Sequence, residues 1–168
     1  YNFVDIEPNG YNLDIKSVAE SVTKNTRAII VPHMLGTPAN LDGLLKLGIP
    51  IIEDCAQGIG AEYNGKKVGS FGSLSIFSFY ATKLMTTEGH GGMVLTNSPS
   101  LLGDLKDLTQ YDKREKYLRS YNYSLTDPQA AFGRSQLIRL DSFIQRRREI
   151  ASIYDSTFEE VNQSIKRN

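Results

Sequence analysis

The chain has no tryptophan and a single cysteine, Cys55, among its 168 residues. One cysteine excludes an internal disulfide, and nothing in cysteine usage points to an oxidising compartment. Net charge is missing too: 19 Lys+Arg balance 19 Asp+Glu. The chain therefore lacks the overall basic field that draws proteins to nucleic acid or anionic membranes. Its apolar runs are far shorter than the roughly 20 residues a helix needs to cross a bilayer. No basic, apolar leader opens it either. A cytoplasmic protein with no nucleic-acid and no membrane partner is the expectation. An initiator methionine is also absent: Tyr1 leads straight into "FVDIEPNGYNLD", which suggests a fragment of a longer protein.

What is present suits one globular core, with 40% hydrophobic and 23% charged residues. Ile15, Val18, Ala19 and Val22 fall at helical spacing, with Asn12 or Asp14 as N-cap. "RAIIVP" (27–32) reads as a buried strand and "LDGLLKLG" (41–48) as a short helix stopped by Gly48. "IPIIED" (49–54) is a second strand, so the three form a βαβ unit with parallel strands. Asn-Gly inside "AEYNGKKV" (61–68) predicts a hairpin. "SLSIFSF" (73–79) and "GGMVLT" (91–96) are further strands. The link between them shows no helical stripe, so antiparallel pairing is at least as well supported as a crossover. Ser98-Pro99 opens a leucine-striped helix, and 109–127 is polar and irregular. From Pro128, capped by Thr126 or Asp127, one long helix is predicted. Leu137, Ile144, Ala151 and Phe158 repeat every seven residues, with Leu140, Tyr154 and Val161 on the second seam position and Arg147 as the one break.

In open α/β sheets, ligands bind beyond the carboxyl ends of parallel strands. That edge should carry Asp54 and Lys83, each following a core strand, with His33 after "RAIIVP" as a third candidate, and Ser78 late in the third strand. A carboxylate, an amine and a hydroxyl together suit pyridoxal phosphate. The cofactor needs an amine for its aldehyde, an anion for its pyridinium nitrogen and donors for its phosphate. Taken singly, each residue has a plainer reading: Asp54 as a cap, Lys83 as a solvated loop lysine, Ser78 as a backbone-bonded hydroxyl. His33 reads as structural, "TEGHGGM" (87–93) as a backbone turn and "RRRE" (146–149) as the wet face of a helix. On physical grounds alone, cofactor binding is the minority reading.

The ordered series is more specific than its members. "IIEDCAQGIGAEYNGKKVGSFGSLSIFSFYATK", "GGMVLTN" and "YNYSLTDPQAAFGRSQLIRLDSFIQRRREIASIY" together resemble the DegT/DnrJ/StrS-type sugar aminotransferases, which are fold type I pyridoxal-phosphate enzymes. The resemblance covers nearly the whole chain. It implies an α/β fold, the central part of the fold type I large domain. A mostly parallel sheet flanked by helices would occupy 1–127, and 128–168 would be a long helix leading to a small domain. Lys83 would be the aldimine lysine and proton shuttle, and Asp54 the partner of the pyridinium nitrogen. Gln57 would lie on the ring's hydroxyl side, Ser78 at the phosphate, and Asn122 at the phosphate of the neighbouring subunit's cofactor. The implied protein is a homodimer with composite active sites. It would transfer an amino group, commonly from glutamate, to a keto group of a nucleotide-linked sugar.

Departures from the family pattern shape the alternatives. The family's Ser-Gly-Thr phosphate turn, its ring-stacking residue and its small domain have no match here, so the chain is expected to hold half a site and not to turn over alone. "KLMTTEGHGGM" carries one residue more than the usual version, which leaves Glu88 and His90 without a role, and Ser124 stands where many members are basic. Pyridoxamine-dependent sugar dehydratases of the same fold replace the lysine with histidine, and Lys83 speaks against that branch. A non-catalytic homologue acting as a binding or assembly module is the other alternative.

Overall fold

The structure, a computed structural model, describes residues 1–109 and 119–166, the last four of these as backbone alone. In chain order its elements are α1 (Ile15–Ser21), β1 (Ile29–Pro32), α2 (Leu41–Leu45), β2 (Ile51–Asp54), β3 (Glu62–Tyr63), β4 (Lys66–Lys67), β5 (Leu74–Ser78), β6 (Gly92–Leu95), α3 (Pro99–Thr109), α4 (Asp127–Ile138) and α5 (Leu140–Lys166). Four strands form one sheet in the order β1-β2-β5-β6. The first three run parallel and β6 runs antiparallel to β5. The fold is thus α/β with a mostly parallel sheet flanked by helices, and the helix-free link between β5 and β6 joins an antiparallel pair.

Strand pleating assigns the two sheet faces. Val31 of β1 and Ile51 of β2 point inward, where Val18 of α1 and Leu41 and Leu44 of α2 cover them, and Ala39 completes the cluster. Each of these side chains is at most 4% exposed, and burying one of the valine, leucine or isoleucine side chains contributes roughly 1.5–3 kcal/mol. Ile30, Ile76 and Val94 alternate onto the opposite face and stay exposed. Asp54 is in register with Ile76, so it also belongs to that open face.

Local chemistry explains the element ends. Asp14, not Asn12, caps α1, with its carboxylate accepting from the Ser17 amide at 2.8 Å and the Ser17 hydroxyl at 2.7 Å. Asn12 is buried instead. It accepts from Met34 N at 3.0 Å and donates to the carbonyls of Thr37 and Pro38, pinning the chain after β1. The hairpin turn has φ 49° at Asn64 and 75° at Gly65, both left-handed as a two-residue type I′ turn requires. Thr126 caps α4 in a capping box with Gln129.

The helix predicted from Pro128 is two helices. Arg139, at φ −98° and ψ 0°, ends α4, and α5 starts afresh at Leu140. The seven-residue repeat runs on through the break, because side-chain spacing does not register a single residue of altered backbone. Leu137, Tyr154, Phe158 and Val161 are exposed along this seam. Ile144 packs so closely over Gly60, behind β2, that a methyl group on Gly60 would overlap it. Gly133 of α4 meets Thr87 in the same way. These two contacts lay the helices against the carboxyl-end loops. Residues 110–118 of the irregular stretch lie outside the described residues.

Candidate cofactor site

β2 ends in two adjacent carboxylates that pleating sends to opposite faces. Glu53 is on the core face and fully buried; Asp54 is half-buried on the open face. The backbone there is held on both sides, since His33 N donates to Asp54 O at 3.0 Å and Cys55 N donates to Ile76 O at 2.9 Å. One oxygen of Asp54 accepts from Ala56 N at 2.9 Å, which sets the rotamer. Its second oxygen has no hydrogen bond or ion pair among the described residues.

Beneath it, Glu53 has four donors. Phe71 N and Gly72 N reach Oε1 at 2.7 and 2.6 Å, while Gly69 N and His33 Nε2 reach Oε2 at 2.6 and 3.1 Å. His33 Nδ1 accepts from Ala39 N at 3.1 Å, so the ring proton sits on Nε2 and is donated to Glu53. Burial alone would raise the Glu53 pKa. The His33 bond and the three amides outweigh it and hold the carboxyl below its ordinary range. Cys55, also buried, is pushed up to about 12 by burial and then by the charges of Glu53 and Asp54. The potential metal donors of His33, Glu53 and Cys55 lie within 4.8 Å of one another. Hydrogen bonds already occupy the imidazole and the carboxylate, and the thiol keeps its proton, so internal bonding accounts for this cluster. Both ring nitrogens of His33 are engaged inside the fold, by Glu53 and by Ala39 N.

Lys83 lies in the loop between β5 and β6, at the same edge as Asp54 because β2 and β5 are parallel neighbours. The loop is tied to itself: Phe79 N donates to Gly91 O, Ala81 N to Gly89 O, Lys83 N to Tyr80 O and Thr87 N to Phe79 O, at 2.9–3.2 Å. Glu88 takes φ 59° and Gly89 φ 98° where it turns back. "TEGHGGM" is therefore a backbone turn that builds the loop. The half-buried Lys83 amine has no hydrogen bond or ion pair among the described residues. Ser78, the last residue of β5, accepts only a long 3.4 Å contact from Tyr80 N. Gln57 accepts through Oε1 from Leu35 N at 3.1 Å, which leaves its NH2 as donor. Asn122 is exposed between Tyr121 and Tyr123, whose rings stack at 5.2 Å. No hydrogen bond links it to Asp54, Gln57, Ser78 or Lys83. The edge thus gathers Asp54, Ser78 and Lys83 with Gln57 beside the chain after β1, and Asn122 comes from elsewhere.

Comparison with known proteins gives this edge a context. The model of the DegT/DnrJ/EryC1/StrS aminotransferase family matches residues 2–167. The chain belongs to that family. It is 35% identical to GDP-perosamine synthase of Escherichia coli O157:H7 over 98% of this chain and 47% of that protein. The crystal structure of DesV from S. venezuelae in complex with ketimine intermediate is 39% identical, with TM-score 0.79, over 86% of this chain and 41% of that one. A putative sugar aminotransferase of Streptococcus pneumoniae in its PLP form is 25% identical, with TM-score 0.84, over 93% of this chain and 47% of that one. The chain spans about half the length of the curated relatives it matches.

The donor set fits the cofactor of a family aminotransferase. An unpaired carboxylate oxygen, an unpaired amine and an underused hydroxyl at one sheet edge match a pyridinium, an aldehyde and a phosphate. Sequence reasoning missed the Glu53 cradle. Its donors lie 16–20 positions away, and only "GSFG" following an acidic strand end hinted at it. Two grooves are lined by neither Asp54 nor Lys83. One of about 940 Å³ runs beside β1, lined by Phe3, Leu13, Val18, Val22 and Ile29. The other, about 650 Å³, separates Leu84 from Phe143, Arg147 and Tyr154 of α5.

Proposed function

We propose that the protein carrying this chain is a pyridoxal-phosphate-dependent aminotransferase that moves an amino group, from glutamate, onto a keto group of a nucleotide-linked sugar. The observation that carries the reading is the pair of uncommitted groups, Asp54 and Lys83, at the carboxyl edge of adjacent parallel strands in a chain of this family. When bound, the cofactor supplies an aldehyde for amines and a ring that accepts electrons from the substrate carbon. Ala56 N fixes one oxygen of Asp54, and the free oxygen would hold the proton on the ring nitrogen. Lys83 would hold the cofactor through its aldehyde and would move a proton to and from the substrate carbon. Ser78 would donate to the phosphate. Gln57, whose oxygen accepts from Leu35 N, would offer its NH2 to the ring's hydroxyl side. Asn122 serves the partner subunit's site in a homodimer. No described helix is long and apolar enough to cross a membrane, in keeping with a cytoplasmic biosynthetic enzyme.

The test is chemical. The full-length protein is mixed with pyridoxal 5′-phosphate, reduced with borohydride and mapped by peptide mass, with Lys83→Ala as control. A single adduct at Lys83, lost in the control, is expected. An adduct elsewhere, or none in a folded protein, would refute the assignment.

A further inference from the structure

Glu53 is charged, buried and remote from the open face, which raises the question of what it does there. A buried carboxylate is costly unless every lone pair is engaged. Here four donors converge on it from two directions: the turn before β5 and the imidazole after β1. The same imidazole's residue also donates its backbone N–H to Asp54 O, and its Nδ1 secures Ala39. Residues 53 and 54 share one peptide plane, so a displacement of Glu53 on the core face tilts Asp54 on the other. A plain hydrophobic side chain would fill the volume, but it would not fix the strand's roll about its own axis. Four directed bonds of 2.6–3.1 Å do.

We infer that Glu53 and His33 are positioning residues for Asp54: the hydrogen-bonded cradle on the core face sets the direction in which the Asp54 carboxylate meets the cofactor's ring nitrogen. The inference rests on the proposed function, because it presupposes pyridoxal phosphate at this edge. The cradle preorganises the carboxylate. A charge aimed at a ring nitrogen holds the proton only while the geometry is kept, and the support for that geometry lies one layer away.

The experiment uses the full-length protein loaded with pyridoxal 5′-phosphate labelled with 15N in the ring, in wild type, Glu53→Gln and His33→Asn. Asparagine keeps an acceptor for Ala39 N and removes only the donor to Glu53. Cofactor affinity and the 15N resonance are read, with circular dichroism to establish the fold. In folded Glu53→Gln, the resonance is expected to move toward the unprotonated position and the cofactor dissociation constant to rise about tenfold or more. His33→Asn should move both in the same direction, by less. Should Glu53→Gln fail to fold, His33→Asn decides alone. Wild-type resonance and affinity in the folded variants would overturn the inference and leave Glu53 a structural brace. Failure of the wild type to take up the cofactor would instead overturn the proposed function, and this inference with it.

Discussion

Replacing Glu53 by glutamine tests how much the buried cradle contributes to stability. The side chains match in shape, so the loss is one of hydrogen-bond polarity. If the amide nitrogen takes the Oε1 position, the N–H groups of Phe71 and Gly72 face a donor. If it takes the Oε2 position, Gly69 N and His33 Nε2 do. The imidazole cannot relieve this by moving its proton to Nδ1, since that atom would then oppose Ala39 N–H. Either way two buried donors are orphaned, at about 1–3 kcal/mol each, and the remaining bonds lose their charge assistance. A loss of about 2–6 kcal/mol is expected, a large share of ordinary domain stability. Urea unfolding at neutral pH measures it. The pH dependence has a definite sign. Because the fold depresses the Glu53 pKa below its ordinary 4.5, its contribution is present above that value and lost as pH falls through the folded one. The gap between wild type and variant should narrow steadily as pH falls below 4.5. A gap under about 1 kcal/mol at pH 7, or one unchanged in acid, would refute this account of the cradle.

Cys55, buried and with its thiol pushed up to about 12, should resist thiol reagents at pH 8 in the native protein and react at the ordinary rate once unfolded; rapid native labelling would contradict its burial. If Asn122 serves the partner's site, inactive Lys83→Ala and Asn122→Ala homodimers should regain about a quarter of wild-type turnover when mixed and allowed to exchange subunits. Half the dimers are then mixed, and each mixed dimer holds one intact site. No recovery despite proven exchange would place Asn122 within its own subunit's site, and full activity of Asn122→Ala alone would place it outside any site.

How far the sequence could be read depended on the range of the interactions involved. The α1 stripe and the Asn64-Gly65 turn rest on neighbours within a few residues, and both were legible; the cap of α4 was legible as one of two adjacent residues, Thr126 or Asp127. The choice between Asn12 and Asp14 was not, because what claims Asn12 is the chain at 34–38, more than 20 positions away. The break at Arg139 was hidden for a different reason: the apolar repeat passes through it undisturbed. Alternation could tell that Glu53 and Asp54 face opposite ways. It could not tell which face would be closed over by α1 and α2.

The sequence by itself determined most of the elements, the Asn64-Gly65 turn and the family, because propensity, pattern and an ordered set of motifs are properties of the chain's order. Only the tertiary structure decided which carboxylate would be sealed and which left with a free oxygen. That outcome depends on where four remote donors converge, and period-2 alternation carries no information about what lies on either side of a sheet. It gave Glu53 a complete set of partners inside the fold, and left Asp54 and Lys83 uncommitted at its edge.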